Sequence, residues 1–125
     1  MKTKFFLLYL LPIILYMCLI FYFSSQPIIY FEIVLKEKGL PIERWAMHII
    51  EYTILSFLLY RALVKSKFKK NSFLLAILIS VFYGLTDEVH QIFVVGRYFD
   101  FLDLILDGIG ASLMQVLIKI KNKII

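Results

Sequence analysis

Apolar residues fall into four long blocks, and the charged residues collect mainly between them. The first block runs from Phe5 to Phe23 and the second from about Trp45 to Val64. The third runs from Phe73 to Val95 and the fourth from about Phe99 to Ile120. Each approaches the roughly 20 residues a helix needs to cross a hydrocarbon core ~30 Å thick. The pattern predicts an all-α integral membrane protein with four transmembrane helices, all within one domain covering residues 1–125. Composition agrees: 62% of the 125 residues are hydrophobic, which leaves too little polar surface for a soluble domain of this size.

The first block has a rival reading as a signal peptide. Its apolar run is longer than the roughly 7–15 residues of such a core, and no Ala-x-Ala pattern follows Ser24 and Ser25. A retained helix is expected, kinked at Pro12 where the backbone donor is missing. The connection from Ser24 to Arg44 is the longest, and its apolar, aromatic stretch from Ile28 to Leu35 suits a membrane interface. Cys18, the one cysteine, lies inside the first block and reads as a small packing residue; neither a disulfide nor zinc-ligand spacing is available.

The net charge of +5 does not signal nucleic acid, because the basic residues sit at block ends, where topology signals sit. Lys2 and Lys4 precede the first helix. Arg61, Lys65, Lys67, Lys69 and Lys70 lie at the second connection, and Lys119, Lys121 and Lys123 close the chain. Four crossings put all of these on one side, which the positive-inside rule makes the cytoplasm, so both termini are expected there. No Asp or Glu lies in those segments; the acidic residues fall in the other loops or in the helices.

Several ionisable residues lie within the spans, where each costs roughly 2.5–3.5 kcal/mol at mid-bilayer. His48, Glu51 and Tyr52 share one face of the second helix, as Asp87, His90 and Gln91 do on the third. Asp103 and Asp107 are four residues apart on the fourth, with Gly110 on nearly the same side; Gly108 and Gly110 allow close helix approach. All these polar groups, with Glu88, belong to the outer half. The expectation is therefore one polar pocket shared by three helices and open toward the outer face. Glu51, Asp87, Glu88, Asp103 and Asp107 face few cations, Arg97 being the nearest expected and Arg44 the next. Either some carboxyls are protonated, or the histidines are charged, or a cation is bound.

The run Asp87-Glu88-Val89-His90-Gln91-Ile92-Phe93-Val94-Val95-Gly96-Arg97 resembles the signature of the VanZ-like family of bacterial membrane proteins. Asp103 and Gly110 fit its later Asp and Gly, while Asp107 stands where the family often has Asn. Phe23-Ser24-Ser25-Gln26 resembles its first motif, and His48, Tyr52 and Leu55 resemble its second. The resemblance covers nearly the whole chain in order. Asp100 is an additional acid whose role the family pattern does not supply. The resemblance implies a four-helix, multi-pass protein of the bacterial cell membrane. It also implies an association with low-level resistance to teicoplanin, a lipid-tailed glycopeptide that acts outside the cell.

The candidate ligand-binding set is His48, Glu51, Tyr52, Asp87, Glu88, His90, Gln91, Arg97, Asp103 and Asp107. The competing reading of the polar run is a buried network that fixes helix packing. Arg97, above an acidic face, suits phosphate or carboxylate recognition if it points inward, and is otherwise an interface anchor. Asp87, Glu88 and His90 are the candidate catalytic residues should the protein be an enzyme acting on a lipid or cell-wall precursor head group. His48 and His90 with Glu51 or Asp87 could ligate zinc or manganese, but tight His-x-x-x-His spacing is absent, and no metal site is assigned. Asp103 and Asp107 could share a proton or simply pair with neighbouring helices. The sequence specifies no cofactor. Expected partners are membrane lipids and a cell-wall precursor, lipid head group or glycopeptide, with no nucleic acid; a homo-oligomer fits a chain this small. A proton or ion pathway is disfavoured, because the polar residues occupy only the outer half.

Overall fold

The structure, a computed structural model, describes residues 2–39 and 43–124, apart from the side chains of residues 28, 30, 31 and 35. It is 84% helix, with no strand among the described residues. Helix α1 spans Lys2–Ser24, α2 Ile28–Glu37, α3 Arg44–Val64, α4 Ser72–Gln91 and α5 Phe101–Ile124. A 3₁₀ turn at Lys69–Asn71 leads into α4. All but α2 are long and apolar enough to cross a membrane.

Pro12 leaves a visible mark on α1. Ahead of it, Phe6–Leu10 widens into a π-helical turn, and the Leu11 N–H reaches back to the Phe6 carbonyl. A proline crowds the carbonyl four residues before it and gives it no donor, and one wider turn absorbs the mismatch. The long connection after α1 is not an irregular loop. Pro27, with φ −55° and ψ 139°, sets an extended entry into α2, and Gly39 at φ 62° ends it. The run from Ile28 to Glu37 contains no Gly or Pro to interrupt a helix. Leu40, Pro41 and Ile42 of that connection lie outside the described residues.

Two span ends differ from the sequence expectation. Helix α4 stops at Gln91 rather than Val95. From Ile92 onward the amides bond three residues back, ending with Arg97 N–H to the Val94 carbonyl at 3.1 Å, and Gly96 turns the chain at φ 76°. Hydropathy is blind to such a turn because its residues are apolar. Helix α5 starts at Phe101 rather than Phe99, because Asp100 caps it: its Oδ1 accepts the Leu102 N–H at 2.9 Å.

Helices α3 and α5 run parallel in fixed register. Arg44 pairs with Asp103, His48 with Asp107 and Ser56 with Gln115, each at a sequence offset of 59. Helix α4 runs antiparallel to both, and α1 packs on α3 and α4 as the most lipid-accessible span. The inward faces of α4 and α5 are largely small and polar, while α1 and α3 bury an apolar cluster that includes Ile13, Ile20, Leu55 and Leu59. Helix α4 buries Ser72, Ala76, Ser80 and Gly84, while α5 buries Gly110, Ala111 and Gln115. Large apolar side chains such as Leu74, Phe82, Leu113 and Val116 point outward. In lipid there is little gain from burying leucine, so close backbone approach and interhelical hydrogen bonds hold the helices together. Cys18 is exposed on α1 rather than packed inside.

Candidate functional site

The polar residues gather at one end of the bundle, where α3 and α5 begin and α1 and α4 finish; nine of the eleven lysines lie at the other end, Lys36 and Lys38 being on the connection between α1 and α3. His48 is the hinge of the cluster. Its Nδ1 lies 2.8 Å from Asp107 Oδ1, and its Nε2 lies 3.4 Å from Asp103 Oδ2. Against a carboxylate, Nδ1 carries the proton and donates to Asp107, while Nε2 faces Asp103. The Asp103 carboxylate also accepts a hydrogen bond from Arg44 Nη2. Asp107 is seated against α4 at Gly84: a Cβ there would meet Asp107 Oδ2 at 2.5 Å. That helix must carry no side chain where the carboxylate packs.

Glu88 is completely buried, and its Oε2 accepts the Asp100 N–H at 3.0 Å. The acid thus pins the start of α5 to the end of α4. A turn away, Gln91 Nε2 donates to Asp87 Oδ2 at 3.1 Å. His90 leaves this group and stacks on Phe21 of α1, ring centroids 4.2 Å apart. Tyr52 is buried within the apolar core beside Ile13, Ile20 and Leu55. Glu51 is half-buried, and it is its backbone carbonyl that receives the Tyr16 hydroxyl, at 3.1 Å.

The two arginines take roles the sequence did not assign them. Arg44, the expected reserve, is the cation on the acidic cluster. Arg97 instead closes the end of α1: its Nε donates to the Gln26 carbonyl at 2.8 Å and its Nη2 to Phe23 at 3.3 Å. These carbonyls lie at the helix end, where few amides follow, although that of Phe23 also accepts the Gln26 N–H at 3.2 Å. Burial, and after it the charge of Arg44, pushes the Arg97 guanidinium below its usual value, though a guanidinium keeps its proton.

Sequence reasoning overlooked three further contributors: Arg44 as the partner of Asp103, Asp100 as helix cap and ligand of Glu88, and Gly84 as the seat of Asp107. Two of these had a signal. Arg44 stands one helical turn before His48 on the same face, and Asp100 precedes an apolar helix as capping residues do.

Several polar atoms at this end are buried without a partner: Ser24 Oγ, Arg44 Nε, Tyr52 Oη, Asp87 Oδ1, Glu88 Oε1, His90 Nδ1 and Gln91 Oε1. Gln115 Oε1, farther along α5, is the remaining one among the described residues. Each such atom costs about 1–3 kcal/mol when nothing meets it.

Four membrane-length helices around a buried, ionisable centre define a small multi-pass membrane protein. Comparison with protein families supports this class and gives it a family. The VanZ/LLP1 family model matches residues 6–122, nearly the whole chain, and the chain belongs to that family. Neither the curated proteins nor the solved structures compared with it gave a match.

Proposed function

We propose that the polar end of the bundle faces the outside of a bacterial cell membrane and binds the polar head of a cell-envelope ligand. The ligand would be a lipid head group, a cell-wall precursor or a glycopeptide, and its binding would confer low-level resistance to teicoplanin. The observation that carries the reading is the concentration of unpartnered buried polar atoms at that one end. A network built only for packing would be expected to satisfy its own members. The orientation rests on the lysines at the opposite end, which the positive-inside rule assigns to the cytoplasm. The bacterial setting and the teicoplanin phenotype rest on the family resemblance.

The test is the teicoplanin susceptibility of a naive Gram-positive host carrying wild-type protein, Asp87→Asn or His90→Ala, with membrane levels matched by immunoblot. Wild type alone is expected to raise the inhibitory concentration. Protection by the variants equal to wild type would make the cluster structural, and no protection by any version would detach the phenotype from this chain.

A second reading, an enzyme acting on such a head group, draws on His48 held by Asp107 with its Nε2 turned toward Asp103. Lipid extracts from cells with and without the protein separate the two, because only an enzyme produces a new or depleted species.

A further inference from the structure

We propose that His48, Glu88 and Asp103 form a binding site for one divalent metal ion of the zinc or manganese class. They come from three different helices, α3, α4 and α5, and each offers a donor atom within 4.8 Å of the other two. All three residues are buried. His48 Nε2 and Asp103 Oδ2 stand 3.4 Å apart, near the spacing of two donors on a tetrahedral ion bound at ~2.0–2.2 Å.

Two further features point to an ion rather than to a self-contained acidic cluster. Glu88 has 0% exposure, yet its Oε1 meets no donor. A carboxylate oxygen enclosed in this way, beside two other donor groups, lacks a positive partner. His48 is also oriented as metal-binding histidines are, with one ring nitrogen given to a carboxylate, Asp107, and the other directed at the would-be ion. Asp103 Oδ2 also accepts a hydrogen bond from Arg44 Nη2, and a carboxylate oxygen has lone pairs for both a guanidinium and an ion.

One imidazole and two carboxylates suit zinc or manganese better than the softer metals that prefer sulfur. A single divalent ion would also offset part of the negative charge that Arg44 alone leaves on this end. This set differs from the His48 and His90 pairing considered from the sequence, because His90 is turned against Phe21. The proposal deepens the head-group reading, since a bound ion would give a phosphate or carboxylate oxygen of the ligand a coordination partner. It does not depend on that reading, and its test uses no lipid and no antibiotic.

The experiment purifies the full chain in detergent, strips it with chelator, and incubates it with Zn²⁺ or Mn²⁺ alone. After desalting, bound metal is measured by elemental mass spectrometry and thermal stability by scanning fluorimetry. Wild type is expected to retain about one ion per chain and to melt at a higher temperature with metal than without. Glu88→Gln, which keeps an oxygen for the Asp100 amide, is expected to lose most of the bound metal and the metal-dependent shift. His48→Gln is expected to do the same, with size-exclusion profile and far-ultraviolet circular dichroism confirming that both variants fold. Wild type retaining no ion, or both folded variants retaining as much as wild type, would overturn the proposal. A metal-binding chain that gives no teicoplanin protection would overturn only the head-group reading.

Discussion

Replacing Gly110 with alanine is expected to destabilise the protein sharply, whereas the same change at Gly108, two residues away, is expected to be nearly neutral. At Gly110 a methyl group would run into the backbone of Ile49, its carbonyl oxygen first and then its Cα and carbonyl carbon. Neither side of that contact is a flexible side chain, so α3 and α5 would have to separate. Separation would also strain hydrogen bonds that cross the same interface. Thr53 Oγ1 shares its one proton between the Ile49 carbonyl at 2.6 Å and the Gly110 carbonyl at 3.0 Å, and Ser56 Oγ donates to the Ala111 carbonyl at 2.9 Å. Gln115 Nε2 donates to Ser56 Oγ at 2.6 Å. Overpacking alone costs about 1–3 kcal/mol, and the strained hydrogen bonds add to it. At Gly108 the methyl would meet only a Val81 methyl at 3.5 Å, an ordinary contact. Thermal denaturation of the two variants in detergent gives the comparison. Equal melting temperatures would mean that α3 and α5 are not as closely seated as the structure has them.

The second large effect concerns the pair Arg44 and Asp103. Arg44→Leu is expected to destabilise the chain by about 1–3 kcal/mol, because the buried Asp103 carboxylate loses its charged donor. Arg44 is about a third exposed, at 34%, so solvent screens its side of the pair, and the upper values known for fully buried pairs are not expected. Combining Arg44→Leu with Asp103→Leu is expected to cost less than the sum of the two single changes. The double variant leaves no unpaired charge behind, although His48 still loses its contact with Asp103. A double-mutant cycle in urea or by heat reads the coupling. Strictly additive costs would show that the guanidinium and carboxylate do not meet. Arg97→Leu serves as the contrast: its partners are carbonyls at the exposed end of α1, and its loss is expected to loosen that end without unpairing an acid.

The arginines also show where sequence reasoning stops. Gly96-Arg97 directly after an acidic face suggested a guanidinium turned toward that face. The turn at residues 92–97 carries Arg97 to the carbonyl end of α1 instead. The turn is made by apolar residues and one glycine, so hydropathy runs straight through it. Arg44 was legible as a neighbour of His48 by helical spacing, but its partner was not. Pairing across an offset of 59 residues depends on α3 and α5 lying parallel in one register, and spacing along a single helix carries no information about that.

What the sequence determined by itself is what lipid and helical periodicity dictate. Four apolar blocks of membrane length had to be helices, because a span must satisfy its own backbone. Polar residues at positions 48, 52, 87, 91, 103 and 107 had to fall on inward faces, because a charge facing lipid is costly. The tertiary structure alone decided which polar groups meet: Asp107 with His48, Glu88 with the Asp100 amide, and His90 with Phe21 rather than with the acids. The reason is steric. Glycines 84 and 110 set how closely the helices approach, and the register of that approach selects each side chain's partner.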